Sequence, residues 1–114
     1  MLKRTKMIYD LRDFSKAPFG RYKSDGEFSG EAFREILANK LKYSQEHNEP
    51  LIIKLDNVYG LGSSFLEESF GGLVRKGLFT KEELLGTSPR LLQIETEFDF
   101  YAKEIESYIL EAQS

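Results

Sequence analysis

The chain has 114 residues and a net charge of −3, and its 40% hydrophobic and 31% charged residues are typical of a folded domain with one core. Its lack of cysteine and its single histidine, His47, exclude disulfides, thiolate metal sites and histidine-rich zinc sites. Because no apolar run approaches a membrane span and the N-terminus lacks a secretory signal, we expect a cytoplasmic protein with no membrane partner.

Positive charge is concentrated at the beginning of the chain. Residues 1–23 contain seven Lys or Arg and two Asp, whereas residues 24–114 contain nine Lys or Arg and seventeen Asp or Glu. A basic arm often indicates nucleic-acid binding. Here the basic residues alternate with Met7, Ile8, Tyr9 and Leu11, which favours an ordinary strand. We therefore expect no nucleic-acid partner.

The predicted elements alternate between strands and helices. Turn residues, capping residues and apolar periodicity predict them in this order: a strand over 6–11, a loop or hairpin over 13–26, a helix over 29–46, a strand over 51–55, a helix over 64–77, a short helix over 80–86, a strand over 90–95 and a helix over 98–109. Such alternation predicts an α/β fold, with a small mixed or parallel sheet covered by helices. We assign residues 1–114 to a single domain.

The strand over 51–55 is nearly continuously apolar, which is typical of the centre of a parallel sheet. Ligands and partners of such sheets bind at the carboxyl ends of the strands, so Asp56 and the loop after it lie at the expected functional edge. Ser64 with Glu67 forms a capping-box pattern for the next helix. As alternatives, Ser64 only caps this helix, or the helix N-terminus binds an anion.

Two pairs of neighbouring residues in that helix need an explanation. Gly71 and Gly72 are unfavourable inside a helix, so they indicate either tight packing on the sheet or a contact surface for a partner. Glu67 and Glu68 suggest catalytic carboxylates, but the capping box accounts for Glu67, and we place Glu68 on a solvated face. The sequence therefore favours a non-catalytic protein.

A second polar group precedes and enters the first helix, where Ser29 is the predicted N-cap and Glu31 lies in the first turn. Two interpretations remain open. One is a ligand site that uses Arg21, Asp25, Ser29, Glu31 and Arg34. In the other, Glu31 and Arg34 form an i,i+3 pair on the helix surface and Asp25 only makes a turn. The sequence has no P-loop, dinucleotide-binding or metal-binding motif, so we expect no cofactor and no metal.

Two segments carry a family resemblance: Phe19-Gly20-Arg21-Tyr22-x-x-Asp25-Gly26-x-x-Ser29-Gly30-Glu31-x-Phe33-Arg34 and Ser63-Ser64-Phe65-x-Glu67-Glu68-x-Phe70-Gly71-Gly72-Leu73. Together they resemble the bacterial STAS-like family of unknown function, a relative of the sulfate-transporter and anti-sigma-factor-antagonist domains. The resemblance extends over residues 9–94. It implies a STAS-like fold and a regulatory module that binds other proteins.

The resemblance also implies a switch. Antagonist members are phosphorylated by a kinase partner of the histidine-kinase-like ATPase class, on a serine that begins a helix after a central strand. By position that serine is Ser63. The antagonist pattern has Asp directly before the serine, whereas this chain has Gly62.

The predicted partner-binding or ligand-binding residues are Arg21, Asp25, Ser29, Glu31, Arg34, Asp56, Gly62, Ser63, Ser64, Glu68, Gly71 and Gly72. The alternative function is a small-ligand or nucleotide sensor that uses Arg21, Asp25, Ser29 and Arg34.

Overall fold

The computed structural model describes residues 7–113. Its strands are β1 (Met7–Asp10), β2 (Leu51–Lys54) and β3 (Leu92–Glu95). Its α-helices are α1 (Gly30–Glu46), α2 (Ser63–Leu66), α3 (Gly72–Arg75), α4 (Lys81–Leu85) and α5 (Asp99–Glu111). A π-helical segment, Glu67–Gly71, joins α2 to α3, and we call the resulting continuous helix over 63–75 the composite helix. Short 3-10 turns follow β1 at Leu11–Asp13 and precede α1 at Lys23–Asp25.

The three strands form a parallel sheet in the order β1-β2-β3. Leu51 aligns with Met7 on one side and with Leu92 on the other, and the register continues to Lys54. The predictions of an α/β class and of a central strand at 51–55 are confirmed. Because all strands are parallel, their carboxyl ends lie along one edge of the sheet and their amino ends along the opposite edge.

One face of the sheet packs against the helices and forms the core. Alternate residues of β2, Leu51 and Ile53, are buried on this face, as is the following Leu55. Buried side chains of α1, the composite helix and α5 cover them: Phe33, Leu37, Leu41, Phe65, Phe70, Leu73, Ile105 and Ile109. On the opposite face of the sheet, the Ile8 side chain is 56% exposed.

Most predicted boundaries agree with the structure. The helix over 29–46 is confirmed, with the Ser29 side chain accepting a hydrogen bond from the Ala32 N–H at 3.2 Å. The predicted short helix over 80–86 is also present, and it begins with a capping box of Thr80 and Glu83 at the start of α4. The first strand is shorter than predicted, and the predicted residue Lys6 lies outside the described residues. No helix within residues 7–113 has the length and hydropathy needed to cross a membrane.

The predicted capping box at Ser64 is wrong. The composite helix begins one residue earlier, at Ser63, with Gly62 as an N-cap that makes no side-chain hydrogen bond. Ser64 is exposed, and Glu67 contacts arginine side chains rather than the N-cap backbone. A serine-to-glutamate spacing of three residues was therefore present without the capping geometry that it usually indicates.

Candidate functional site

The two sequence motifs meet in a partly buried group of charged side chains. Arg21, Arg34 and Arg75 contact Glu67 and Glu68, and we call these five residues the Arg–Glu cluster. Glu68 pairs with all three arginines: with Arg34, with Arg75 at 2.9 Å and with Arg21 at 3.2 Å. Glu67 pairs with Arg21 and Arg75. Three positive and two negative charges leave the cluster with a net charge of +1.

Glu68 is the centre of the cluster and is almost fully buried. Its side chain is 2% exposed, and that of its partner Arg34 is 9% exposed. The prediction of a solvated face for Glu68 is therefore wrong, and the alternative in which Arg34 pairs with Glu31 is not supported either. A buried carboxylate requires opposite charges and hydrogen-bond donors, and Arg34 reaches it from α1. The ion pair therefore joins α1 to the composite helix.

The π-helical segment aligns Glu67 with Arg75. In a regular α-helix, residues eight positions apart differ by about 80° around the axis, which would separate these two side chains. In the π-helical segment, the Gly72 N–H donates to the carbonyl of Glu67, five residues earlier. The extra residue in this turn offsets most of the 80° that would otherwise separate Glu67 from Arg75 around the helix axis. Arg75 therefore lies on the same side of the helix as the two glutamates and contacts both of them. Nothing in the sequence pattern indicated this insertion.

Gly71 and Gly72 provide space for the cluster and for α5. A Cβ atom at Gly72 would lie 3.0 Å from Cδ of Arg34, and one at Gly71 would lie 3.2 Å from the carbonyl oxygen of Tyr108. Both glycines are buried. They therefore mark tight packing, as one alternative predicted, but against α1 and α5 rather than against the sheet. Their burial also contradicts the prediction that they form a contact surface for a partner.

The remaining residues of the first motif shape the loop that carries Arg21. The Asp25 carboxylate accepts hydrogen bonds from the backbone N–H groups of Tyr22 at 2.9 Å and Arg21 at 3.2 Å. The Glu31 carboxylate accepts from the Lys23 N–H at 2.8 Å. Ser29 is fully buried as the N-cap of α1. Since Asp25, Ser29 and Arg34 all bond within the chain, the geometry does not favour the ligand pocket predicted from these residues and Arg21.

Asp56 connects two loops at the carboxyl edge of the sheet. Its carboxylate accepts from the Thr96 hydroxyl at 2.6 Å and from the Glu97 N–H at 2.7 Å. Nearby, the Asn57 side chain donates to Asp10 at 2.7 Å. These bonds join the end of β1 to the loops after β2 and β3. Asp56 therefore fixes the loop that leads to Ser63.

Ser63 is exposed at the first residue of the composite helix. Its hydroxyl lies beside the phenol of Tyr108 from α5. Burial and then the negative charges of Glu104 and Glu67 raise the pKa of Tyr108, and Ser63 and Arg21 oppose this rise. The charges of Glu67 and Arg21 therefore act on Tyr108, the neighbour of Ser63. The structure brings Arg21, Ser63, Glu67 and Glu68 together at one end of the composite helix, whereas the sequence left open whether the two motifs meet.

The Arg–Glu cluster makes the stability of the fold depend on pH in the acidic range. Burial acts to raise the pKa of Glu67, but the hydrogen bonds from Arg21 and Arg75 outweigh burial and hold it below its ordinary value of 4.5. When the pKa of a carboxylate is lower in the folded state than in the unfolded state, the group stabilises the fold at any pH above its unfolded-state pKa. This stabilisation is lost as the pH falls through the folded-state pKa. We expect the free energy of unfolding to fall as the pH drops below 4.5.

The acid dependence is measured by urea unfolding across a pH series from neutral to strongly acidic. Glu67→Gln should flatten the curve below pH 4.5. Glu106→Gln removes a half-exposed carboxylate that pairs with Arg90, and it should flatten the curve much less than Glu67→Gln does. Equal acid dependence in Glu67→Gln and the unmodified protein would show that Glu67 does not contribute.

The single histidine of the chain lies far from Ser63. His47 is exposed and caps the C-terminus of α1, where its Nδ1 lies 2.8 Å from the Tyr43 carbonyl oxygen. It precedes the amino end of β2, at the opposite edge of the sheet from Ser63, so it cannot act as a base for that serine. Within residues 7–113, no group of three or more acidic, histidine or cysteine side chains could hold a metal ion.

Comparison with known proteins gives a family and no individual relative. The model of the family described as "STAS-like domain of unknown function (DUF4325)" matches residues 29–87, which is more than half of the chain. No curated protein and no solved structure matches. The matched residues extend from the N-cap of α1 to the residues after α4, and they include four of the five members of the Arg–Glu cluster. The parallel three-stranded sheet with helices agrees with the α/β fold of STAS-like domains. The chain therefore belongs to the STAS-like domain family of unknown function DUF4325.

Proposed function

We propose that this domain is a non-catalytic regulatory module that binds another protein through the carboxyl edge of its sheet. The supporting observation is the exposed hydroxyl of Ser63 at the start of the helix that follows the central strand. Phosphorylation of Ser63 by a partner of the histidine-kinase-like ATPase class would switch the binding. The family assignment supports a STAS-type role in general terms.

Exposed aromatic side chains near this edge support a protein partner. Phe19 is 73% exposed and Tyr59 is 76% exposed. Phe19 and Tyr59 lie in the loops that follow β1 and β2, and these loops border the carboxyl edge. The Phe19 N–H donates to the Phe28 carbonyl at 3.0 Å, and the Tyr59 N–H donates to the Lys16 carbonyl at 2.7 Å. We call Phe19, Phe28 and Tyr59 the aromatic rim. Aromatic residues are enriched in the contact regions of protein interfaces.

A phosphate on Ser63 would change the charge of this edge by about −1.5 to −2 at neutral pH. Glu67 lies one turn further along, with its N–H bonded to the Ser63 carbonyl, so the phosphate would face a negative neighbour. Arg21 is 30% exposed and affects the same environment through Tyr108. The modification would therefore weaken the Arg21–Glu67 pair by offering Arg21 a more strongly charged acceptor.

The state of the two glutamates supports a module without catalysis. A general acid at neutral pH needs a raised pKa, whereas the pKa of Glu67 is lowered despite its burial. Glu68 is enclosed by three guanidinium groups and is 2% exposed, so substrate has no access to it. The two carboxylates therefore serve the structure of the edge.

The proposal is tested by affinity capture of the protein from lysate of its own host, with and without ATP and magnesium, followed by intact-mass measurement. We expect an ATPase of the histidine-kinase-like class to co-purify and a phosphate-sized mass gain to require ATP. Ser63→Ala should abolish the mass gain. Ser64→Ala is the matched control, because this neighbouring serine is also exposed, and it should retain the gain.

Two further measurements separate the alternatives. Tyr59→Ser in the aromatic rim should reduce capture of the partner without lowering the melting temperature, since its side chain is largely exposed. A melting temperature that rises with one member of a nucleotide panel would instead support the sensor function, because a ligand stabilises the folded state. Absence of a partner, or a mass gain that persists in Ser63→Ala, would contradict the proposal.

A further inference from the structure

One face of helix α5 is turned away from the rest of the described chain. Its opposite face carries Ile105 and Ile109, which are buried in the core. At about 100° per residue, four residues lie on the outward side. We call them the α5 stripe: Phe100, Lys103, Ser107 and Leu110. The proposed regulatory function does not use this face, and α5 lies outside residues 29–87 that the family model matches.

The two ends of the α5 stripe are large apolar side chains in solvent. Phe100 is 56% exposed and Leu110 is 50% exposed. They are ten residues apart, which is about 15 Å along a helix. A shallow hollow of about 470 Å³ runs along the same helix from Ala102 to Glu111. Such a surface is suited to a second helix, whose apolar side chains recur every three or four residues over a similar length.

The charges around the α5 stripe select the class of partner. Residues 95–111 contain six Asp or Glu and one Lys, Lys103, so their net charge is −6 + 1 = −5. Two of the carboxylates form ion pairs, with Lys54 at 3.6 Å and with Arg90 at 3.1 Å, and the other four form none within residues 7–113. This surface therefore repels nucleic acids and anionic membranes and attracts a basic partner.

We propose that the α5 stripe binds a basic amphipathic helix of a partner protein. The apolar face of that helix packs against Phe100 and Leu110, and burial of these side chains drives the association. Its flanking Lys or Arg residues pair with Asp99 and Glu111, the exposed first and last residues of α5. A second copy of this chain fits less well, because two faces of like charge repel each other.

The test is a titration of the ¹⁵N-labelled chain, followed by ¹H–¹⁵N NMR spectra, with a synthetic helical peptide as the probe. This lysine peptide has leucine at positions i, i+3, i+7 and i+10 and lysine at the flanking positions. Saturable shifts confined to residues 97–111 are expected with it. Two control peptides should give none: one with glutamate in place of each lysine, and one of the same composition with its leucines scattered around the helix.

Leu110→Ser should weaken binding of the lysine peptide by about fivefold, the effect expected when a half-exposed leucine no longer becomes buried in the complex. Tyr43→Ser is the matched control, because its side chain is 49% exposed on α1, and it should bind with unchanged affinity. Both substitutions alter half-exposed side chains, so the fold should persist, and the probe-free spectra verify this.

The proposal is overturned if the lysine peptide gives no saturable shifts, or if its shifts spread over carboxylates elsewhere. Equal binding of either control peptide, or unchanged affinity in Leu110→Ser, would also overturn it, since the attraction would then not involve the apolar stripe. Shifts of α5 that depend on protein concentration alone would assign this face to a second copy instead. The titration uses the purified chain, so its result does not depend on the proposed role of Ser63.

Discussion

Glu68→Gln should lower the free energy of unfolding by about 3–5 kcal/mol, the usual cost of removing one partner from a buried ion pair. The substitution preserves the shape of the side chain but removes its charge. Arg34, which is 9% exposed, would then keep a buried positive charge without its carboxylate partner. The new amide N–H groups would also face guanidinium donors. Because a domain of this size is stable by only about 5–15 kcal/mol, the loss should be evident in urea unfolding at unchanged m-value.

Two variants separate the buried charge from other effects. Glu106→Gln makes the same chemical change in a half-exposed pair with Arg90, and it should cost about 1 kcal/mol or less. The double variant Arg34→Met, Glu68→Leu replaces both buried charges with apolar side chains and should recover a large part of the loss. A cost for Glu68→Gln no larger than that for Glu106→Gln would show that the Arg–Glu cluster contributes little to stability.

Much of the fold could be predicted from local patterns. The cap at Ser29 and the capping box of Thr80 with Glu83 determine where α1 and α4 begin, because short-range hydrogen bonds decide both helix starts. The apolar run at 51–55 predicted the central strand, because a strand with a neighbour on each side is rich in apolar residues. These features depend on neighbouring residues, so the sequence pattern contains the necessary information.

The candidate site depends on contacts between distant residues, which the sequence pattern does not contain. Glu68 pairs with Arg34, 34 positions earlier, and with Arg21, 47 positions earlier. Local reasoning placed Glu68 on a solvated face because two adjacent charged residues in a helix are usually exposed. The glycine pair at 71–72 was the available signal, since the cost of two glycines inside a helix indicates a close neighbour. It did not identify that neighbour as the Arg34 side chain.

Gly30→Ala should destabilise the domain, although alanine is the better helix former. Gly30 is the first residue of α1, where alanine would otherwise be favoured by up to about 1 kcal/mol. An added Cβ would lie 2.7 Å from the carbonyl oxygen of Phe65 and 2.9 Å from Cβ of Glu68. The Phe65 carbonyl also accepts a hydrogen bond from Ser69 at 2.7 Å, so it cannot move without losing that bond.

The clash would force α1 away from the composite helix and weaken the contact of Arg34 with Glu68. Overpacking of this kind costs about 1–3 kcal/mol, which exceeds the gain in helix propensity. Gly62→Ala is the matched control, because nothing lies within 4 Å of an added Cβ and its φ of −80° suits any residue. Urea unfolding should show a clear loss for Gly30→Ala and little change for Gly62→Ala. A stabilised Gly30→Ala variant would mean that helix propensity outweighs the packing of the two helices at this point.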